Sequence, residues 1–453
     1  MPAICITLPS MSQILILGAG RSSSSLISYL LNRAEKYSWS IVVGDFSIQA
    51  AQTRIGNSSI GQAVEFDIRN ETSCAAIIQK ADVVISLLPP HFHPVVAKMC
   101  LQFNKHLLTA SYVSDEMNAY HKEALSKNLV FLNECGLDPG IDHMSAVKII
   151  DEIHSKGGKL VSFESFTGGL IAPETDPDNP WRYKFTWNPR NVVMAGQGTA
   201  RFLQDGKIKY IPYQQLFNRY TEIEVPGYGK FEGYANRDSL KYRDTYQLPE
   251  IQTMLRGTLR FSGFCSAWNI LVQLGCCEDT HMMERVDTMT HAGFLDSFLP
   301  GSEKKPVDER LRNYFKLDAD SPEMKRLKWS GLFTEEKVGL TEGTPARILE
   351  HVLNKKWSLA PHDKDFIVMI HRFIYELNGE RKTIQSSLAV TGEDSVQTAM
   401  AKTVGLPLGI AARLLMQGKL SSRGVVIPTL KEIYEPALKE LDELGISMVD
   451  QEV

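Results

Sequence analysis

Short apolar runs alternate with helix-like stretches through roughly the first third of the chain, and this alternation restricts the possible folds most. Leu26, Ile27 and Leu30 recur at helical spacing between the first two runs, so they would pack one helix face on a sheet. A parallel sheet with helical crossovers produces this pattern of short buried strands. We therefore predict an α/β fold that begins as a doubly wound parallel sheet. The runs occupy residues 14–17, 41–43, 83–88, 107–109 and 129–132.

A glycine-rich turn follows the first predicted strand and precedes the first predicted helix. Gly18 permits a tight turn, and Gly20 lets the backbone approach a pyrophosphate held at the helix N-terminus. Ser23 stands where a third glycine is common in such turns. The turn predicts a dinucleotide-binding Rossmann domain. Its predicted cofactor contacts are Gly18, Ala19, Gly20, Arg21 and Ser22.

Asp45 ends the second predicted strand, about 20 residues after the turn, where an acidic side chain can hold the ribose 2′-hydroxyl of a dinucleotide. A 2′-phosphate would be repelled by this carboxylate, so we expect NAD to be preferred over NADP. Arg21 is close enough in sequence to offer a phosphate a partner, so NADP stays open as the alternative.

Two histidines follow the apolar run that ends near Ser86. His91 and His93 belong beside the nicotinamide side of such a sheet, because they lie just past the C-terminal end of a strand. An imidazole there could move a proton near the cofactor. Loop histidines are more often solvated or capping groups, so both remain candidates only.

The alternation of short apolar runs and helix-like stretches ends after the last strand predicted above. We predict a Rossmann domain over residues 11–143 and a mixed α/β substrate domain over 144–395. A helical insertion is expected within the second domain at about 266–356, where strand signals are few. Residues 396–453 are expected to return to the Rossmann domain.

The composition excludes several classes of protein. Hydrophobic residues make up 43% and charged residues 23%, which is typical of a globular chain. A net charge of -4 without a basic tract argues against a nucleic-acid partner. No stretch approaches the roughly 20 apolar residues of a membrane span. Seven cysteines without metal-ligand spacing favour reduced thiols, no metal site and a cytoplasmic location; we also expect a homodimer.

Seven segments resemble, in the same order, motifs of the saccharopine dehydrogenase (glutamate-forming) family, also called saccharopine reductase. The similarity extends from about residue 14 to 436 and is weakest between about 276 and 388. The joint order of the segments is more specific than any one of them. They are TASY at 109–112, NECGLDPGIDH at 133–143, GGLIAPE at 168–174, YKFTW at 183–187, YANRDS at 234–239, LRGTLR at 255–260 and AMAKTVGLP at 399–407.

The resemblance implies a reaction on saccharopine, in which glutamate and lysine share one secondary amine. Enzymes of this family move a hydride between a nicotinamide and the carbon on the lysine side of that nitrogen. Oxidation gives an imine, water adds to it, and the resulting carbinolamine collapses to glutamate and 2-aminoadipate 6-semialdehyde. The resemblance also implies the same partition into domains as the sequence pattern.

Saccharopine carries three carboxylates, so its site requires fixed cations, and the planar fork of arginine suits a carboxylate best. Arg237, Arg256 and Arg260 lie inside the similar segments. We expect Arg256 to be structural and the other two to bind substrate. The resemblance adds substrate contacts from the loop after the fifth predicted strand, from the segment at 133–143 and from the segment at 255–260. The full predicted set is Ser111, Tyr112, Asp138, Arg237, Thr258, Leu259 and Arg260.

The resemblance also extends the predicted cofactor site. A turn signal at Asp138, Pro139 and Gly140 corresponds to family positions that face the cofactor and the reacting nitrogen. Trp187 corresponds to a position near the nicotinamide. Asp67 and Ile85 complete the predicted cofactor contacts.

The group that removes the amine proton stays open. A secondary amine must be neutral before it can release a hydride, so a base or water must act first. Asp138, Tyr112 and Lys184 are all candidates for this catalytic role.

Two other functions fit parts of the sequence. A carboxynorspermidine-type dehydrogenase of polyamine synthesis reduces an imine in the same way, but its substrate has more cations and fewer carboxylates. A non-catalytic dinucleotide sensor would keep only the Rossmann domain intact. The arginine-bearing segments favour the saccharopine reaction over both.

Overall fold

A computed structural model of the protein describes residues 12–195, 197–302 and 304–453. The chain divides into two units: one contains residues up to 149 together with 401–446, and the other contains 150–400 with 447–453. Residue 11, where we placed the start of the first domain, and Cys5 lie outside the described residues.

The strands in chain order are β1 (Ser12–Leu17), β2 (Trp39–Asp45), β3 (Gly61–Glu65), β4 (Val83–Ser86), β5 (His106–Thr109), β6 (Val130–Leu132), β7 (Lys159–Ile171), β8 (Ala200–Gln204), β9 (Lys207–Ile211), β10 (Thr221–Val225), β11 (Gly229–Ala235), β12 (Thr253–Phe261), β13 (Asp365–Leu377), β14 (Glu380–Thr391), β15 (Gly424–Val426) and β16 (Val449–Glu452).

The helices in chain order are α1 (Ser24–Tyr37), α2 (Ile48–Ile55), α3 (Glu71–Ile78), α4 (His93–Phe103), α5 (Asp115–Ala119), α6 (His121–Ser126), α7 (Ile141–Ser155), α8 (Pro189–Val193), α9 (Tyr213–Leu216), α10 (Lys241–Thr245), α11 (Phe264–Leu274), α12 (His291–Asp296), α13 (Val307–Phe315), α14 (Pro322–Trp329), α15 (Pro345–Trp357), α16 (Ala399–Met416) and α17 (Lys431–Glu443). A 3-10 turn, Pro90–Phe92, precedes α4.

The first unit is built on a seven-stranded sheet in the order β15-β6-β5-β4-β1-β2-β3, in which every neighbouring pair is parallel. This is the predicted doubly wound Rossmann-type sheet. The strand order reverses between β1 and β4, and ligands of such sheets bind outside the carboxyl ends of the strands at this switch point. The predicted cofactor turn follows β1 and therefore lies at that point.

Helix α1 packs against α16 of the same unit through two glycines. A Cβ on Gly405 would lie 2.8 Å from the Leu26 backbone nitrogen, and one on Gly409 would lie 2.6 Å from the Tyr29 ring. These positions are four residues apart, so they lie on one face of α16. The absence of side chains there lets the two helices approach closely.

The second unit contains a nine-stranded mixed sheet in the order β10-β11-β12-β7-β13-β14-β16, with the β8–β9 hairpin attached to β12. β7 and β12 are parallel, whereas the long β13 and β14 form an antiparallel hairpin. One large apolar core fills this unit, and the fully buried rings of Trp181, Trp268 and Trp357 lie in contact within it. Helices α11 to α15 occupy residues 264–357, the region where the sequence predicted a helical insertion.

The boundaries differ from the predicted ones at the C-terminus. Residues 447–453 contribute β16 to the sheet of the second unit, where it pairs with β14, rather than returning to the Rossmann domain. β3 was not predicted from the sequence, because its residues are mostly half-buried and no continuous apolar run marks this edge strand.

One helix in the described part of the chain, α16, is long and apolar enough to span a membrane by composition alone. Buried core helices pass the same test, and 78% of this segment is buried. All six described cysteines are buried and unpaired. Within the described ranges, no three His, Cys, Asp or Glu side chains are grouped as a metal site would require.

Candidate active site

The predicted phosphate turn has the backbone of a tight dinucleotide loop. Gly18 has a φ of 105°, which favours glycine, and its amide donates to the Gly44 carbonyl oxygen at 2.7 Å. A Cβ on Gly18 would lie 3.2 Å from the Leu87 carbonyl oxygen, whereas a Cβ on Gly20 would meet nothing within 4 Å. The turn is therefore crowded at Gly18 and open at Gly20, which fits an approaching pyrophosphate.

Arg21 and Ser22 follow on the outer side of the turn, where Arg21 is exposed and Ser22 is half-buried. The buried Ser23 hydroxyl donates to the Gly20 carbonyl oxygen at 2.8 Å. This bond ties the turn to the start of α1 at the position where we noted the missing third glycine.

Asp45 lies at the end of β2, and its carboxylate faces the turn. It accepts hydrogen bonds from the Ala19 amide at 2.7 Å and from the Ser47 amide at 2.9 Å. On the same side, Arg54 donates from Nε to the Ala19 carbonyl oxygen at 3.3 Å. The ribose end of the predicted site thus holds one carboxylate and a nearby guanidinium.

Asp67 and Ile85 are two further predicted cofactor contacts in the first unit. Asp67 forms an ion pair of 2.8 Å with Arg69, and the Arg69 guanidinium lowers the pKa of that carboxyl. Ile85 is fully buried in the middle of the sheet, where Ile16 and Leu108 are its neighbours on the adjacent strands. Its side chain therefore contributes to the core beneath the site.

Ser111, Tyr112 and Asp138 are brought together past the carboxyl ends of β5 and β6. The Tyr112 hydroxyl donates to Asp138 Oδ1 at 3.3 Å. The Ser111 amide donates to Thr109 Oγ1 at 3.2 Å, which fixes the start of the loop. A phenol and a carboxylate so arranged can exchange a proton with a bound amine, directly or through water.

The loop that carries Asp138 is closed by backbone contacts. The Gly136 amide donates to the Pro139 carbonyl oxygen at 2.9 Å, and the Asp138–Pro139 peptide is cis. Gly140 has a φ of 148°, and a Cβ there would collide with the backbone of Gly136. The glycines allow this turn to fold back on itself and fix the direction of the Asp138 side chain.

A buried contact between a carboxylate and an imidazole, which the sequence did not indicate, supports the same loop. Glu134 and His143 are both buried, and His143 Nε2 lies 2.8 Å from Glu134 Oε2. The other oxygen of Glu134 accepts from the Val113 amide at 2.9 Å. Because Val113 directly follows Tyr112, this pair holds the loop that carries the tyrosine.

The two candidate histidines have different surroundings. His91 is exposed and contacts the Phe92 ring. His93 is buried at the start of α4, where its Nε2 lies 2.8 Å from Ser111 Oγ. The structure therefore connects only His93 to the predicted substrate loop.

Arg260 in the second unit is a buried cation of the kind that an anionic substrate would require. It is 4% exposed, its Nη1 donates to the Leu259 carbonyl oxygen at 2.9 Å, and its guanidinium lies 5.1 to 5.8 Å from three aromatic rings. Its Nε has no hydrogen-bond partner, and no carboxylate pairs with it within the described ranges. A buried charge of this kind is costly unless it is paired, and a bound carboxylate would pair with it.

Thr258 and Arg260 are two residues apart on β12, so their side chains lie on the same face of the sheet. Leu259 lies on the opposite face and is fully buried in the apolar core. If Leu259 contacts a ligand bound beside Thr258, as the resemblance implies, the contact is made by its backbone.

The other two arginines are arranged differently. Arg237 is exposed in the loop after β11, where its backbone has a positive φ of 48° and its carbonyl oxygen accepts from the Arg201 amide at 2.7 Å. Arg256 is buried, with its guanidinium 4.0 Å from the centre of the Tyr242 ring. This stacking agrees with a structural role for Arg256.

Lys184, one of the candidate bases, is held by two carboxylates. Its Nζ lies 2.8 Å from Asp176 Oδ2 and 2.7 Å from Asp363 Oδ2. Burial alone would lower the pKa of Lys184, but these two carboxylates raise it. A lysine that holds its proton so firmly is unsuited to act as the base. Trp187, three residues on, is half-buried against the apolar core of the second unit.

Comparisons with known proteins fit this geometry. The model of the saccharopine dehydrogenase NADP binding domain matches residues 14–132, and that of the saccharopine dehydrogenase C-terminal domain matches residues 136–446. Saccharopine dehydrogenase (NADP(+), L-glutamate-forming) of Schizosaccharomyces pombe is 31% identical over 97% of this chain and 99% of its own length. The protein of the same name from Saccharomyces cerevisiae is 33% identical over 97% and 99%. These names specify NADP(+), so they do not support the expected preference for NAD.

Solved structures extend the similarity. The apo form of saccharopine dehydrogenase (L-Glu forming) from Saccharomyces cerevisiae has a TM-score of 0.87 and 32% sequence identity, and the match covers 98% of this chain and 100% of that one. A homospermidine synthase from Legionella pneumophila shares the fold at a TM-score of 0.56 with 10% identity. On the family models and the full-length relatives together, the chain belongs to the saccharopine dehydrogenase family.

Proposed function

We propose that the protein is an L-glutamate-forming saccharopine dehydrogenase. It would interconvert saccharopine and water with L-glutamate and 2-aminoadipate 6-semialdehyde, with NADP as the hydride acceptor in the oxidative direction. The names of the relatives support this reaction. The structural observation that carries the proposal is the buried Arg260 guanidinium without a carboxylate partner among the described residues.

Each step of this reaction can be assigned to residues of this chain. A bound nicotinamide supplies the site to which the hydride is transferred from the carbon on the lysine side of the secondary amine. The amine must first lose its proton, and the Tyr112–Asp138 pair can accept it. The accepted proton passes from the pair to solvent, because Asp138 is only half-buried. Hydride transfer then leaves a cationic imine, and the ionised Asp138 carboxylate stabilises it before water adds. Collapse of the carbinolamine then releases glutamate and the aldehyde.

The cofactor proposal is NADP, and it replaces the preference expected from Asp45 alone. The turn from Gly18 to Ser22 and the start of α1 would hold the pyrophosphate. Arg54 supplies a cation next to Ala19, and Arg21 is exposed on the turn itself. The Asp45 carboxylate is already bonded to the Ala19 and Ser47 amides. Two arginines can offset the repulsion between one carboxylate and a 2′-phosphate.

The alternatives are weaker. A polyamine-type substrate would require acidic partners, whereas the polar face of β12 offers Arg260. A non-catalytic sensor would not need the Tyr112–Asp138 pair. We also propose a homodimer and a cytoplasmic location, and light scattering of the purified protein together with microscopy of a tagged chain would test these two points.

An absorbance assay at 340 nm with saccharopine and either NADP or NAD tests the function. We expect NADPH to form together with an equal amount of glutamate, and NAD to be the poorer acceptor. Release of lysine instead of glutamate, or no turnover by a folded protein that binds NADPH, would contradict the proposal.

A further inference from the structure

His93 lies between the carboxyl ends of β4 and β5, next to the switch point of the sheet. Its Nδ1 is 2.9 Å from the hydroxyl of Ser86, the last residue of β4. Its Nε2 is 2.8 Å from Ser111 Oγ and 3.1 Å from Thr109 Oγ1. One imidazole therefore joins two strand ends to the loop that carries Ser111 and Tyr112.

The imidazole is neutral under physiological conditions. His93 is 4% exposed, and burial, with a smaller effect from His91, lowers the pKa of His93 to about 4. A neutral imidazole has one N–H donor and one acceptor nitrogen, so its two sides have fixed and opposite roles. The surrounding hydroxyls decide which nitrogen carries the proton.

A proton on Nε2 gives the hydroxyls on the two sides of the ring complementary roles. Ser86 is fully buried, and His93 Nδ1 then accepts its hydroxyl proton. Thr109 Oγ1 accepts the Ser111 amide and is a second acceptor for the Nε2 proton at 3.1 Å. With the proton on Nε2, the imidazole donates to Ser111 Oγ and leaves the Ser111 hydroxyl proton available. With the proton on Nδ1, Nε2 would instead accept a hydrogen bond from the Ser111 hydroxyl, whose proton would then be unavailable to a ligand.

We propose that His93 is a positioning residue that makes the Ser111 hydroxyl a dedicated hydrogen-bond donor toward a carboxylate of the substrate. The inference rests on the proposed function for the identity of that carboxylate. His93 does not exchange protons with the substrate in this account. Its role is to orient Ser111, while the Glu134 bond to the Val113 amide fixes the other end of the same short loop.

Replacement by two different amides tests the inference. In His93→Gln the amide nitrogen can occupy the position of Nε2 and still donate to Ser111, whereas in His93→Asn it falls near Nδ1. We expect His93→Gln to keep the KM for saccharopine within about threefold of the native value. His93→Asn should raise it about tenfold, as the loss of a hydrogen bond to a charged group does. The KM for NADP should stay unchanged in both variants.

A double-mutant cycle separates this role from general support of the fold. Ser111→Ala should raise the KM for saccharopine about tenfold, and adding His93→Asn to it should have no further effect, because the two changes remove one interaction. His154→Asn, at an exposed histidine of the second unit, is the control. Melting temperatures show whether each variant is folded.

The outcomes are distinguishable. Equal KM values for saccharopine in the native protein, His93→Asn and Ser111→Ala would overturn the inference and leave the proposed function intact. Loss of an ionisation from the pH profile of kcat in His93→Gln would show that His93 exchanges protons, which also overturns it. Absence of saccharopine turnover by the native protein would overturn both the function and the inference.

Discussion

The Asp45 carboxylate accepts a hydrogen bond of 2.7 Å from the Ala19 amide, so the acid at the end of β2 is part of the glycine turn. A second bond from the Ser47 amide orients its other oxygen. The carboxylate therefore has a defined place beside the ribose end of the predicted dinucleotide site. Its charge should decide how well a 2′-phosphate is tolerated.

Replacement of Asp45 should change the choice between cofactors. Asp45→Asn keeps an oxygen acceptor for the Ala19 amide but removes the charge, so we expect the ratio of kcat/KM for NADP to that for NAD to rise about tenfold. Asp45→Arg should increase the ratio further. Steady-state kinetics with both cofactors measures it.

Asp82→Asn is the matched control, because Asp82 also accepts a backbone amide, that of Gln13, at 2.8 Å, but precedes β4 rather than ending β2. Its ratio should equal that of the native protein. An unchanged ratio in Asp45→Asn would show that Asp45 does not face the ribose.

Arg260 should matter for substrate affinity and not for stability. Arg260→Met removes a buried charge that has no carboxylate partner within the described ranges, so the melting temperature without substrate should be unchanged or higher. The KM for saccharopine should rise by about 100-fold or more, since a buried charged partner is lost. Thermal unfolding with and without saccharopine, together with kinetics, checks both expectations.

Arg256→Met provides the comparison on the same strand. Its guanidinium stacks on Tyr242, so this variant should melt at a lower temperature with little change in KM. A lower melting temperature with little change in KM in Arg260→Met, together with a raised KM in Arg256→Met, would contradict the assignment of Arg260 to the substrate.

Close contact between α1 and α16 predicts a sensitive position at Gly405. In Gly405→Ala the new methyl would lie 2.8 Å from the Leu26 nitrogen, so the helices must separate. We expect a loss of about 2 kcal/mol of stability, which lowers the melting temperature by several degrees despite the better helix propensity of alanine. An unchanged melting temperature would mean that the helices do not pack this closely.

Glu432 predicts a pH dependence of stability. It accepts bonds of 2.9 Å from the Ser421 and Ser422 amides. Burial acts to raise the pKa of Glu432, but these bonds and the Ser421 hydroxyl lower it to about 2. Because the folded pKa lies below the unfolded value near 4.3, the ionised carboxylate stabilises the fold above about pH 5. This contribution is lost as the pH falls toward 2.

Glu432→Gln should therefore melt at a lower temperature than the native protein at pH 7, and the difference should shrink as the pH is lowered through 4. A constant difference across this range would show that ionisation of Glu432 contributes nothing.

Local sequence patterns predicted the features that depend on residues close together in the chain. The turn at Gly18 and the acid at Asp45 follow from strand, glycine and spacing, and the structure joins them by a hydrogen bond. The edge strand β3 was missed because half-buried edges lack a continuous apolar run.

Partners far apart in the chain explain the other differences. Lys184 Nζ is held by Asp176 and by Asp363, which is 179 residues away, and no sequence pattern indicated that these carboxylates would hold its proton. Glu134 and His143 lie within one segment, but the Val113 amide that Glu134 also binds belongs to a different loop, so the sequence did not indicate the role of the pair.

Transfer of a labelled hydrogen tests the proposed reaction most directly. Saccharopine that carries deuterium on the lysine-side carbon attached to nitrogen should give deuterated NADPH, together with unlabelled glutamate, when incubated with the protein and NADP. Unlabelled NADPH with release of lysine would mean that the hydride leaves from the glutamate side, and it would contradict the account.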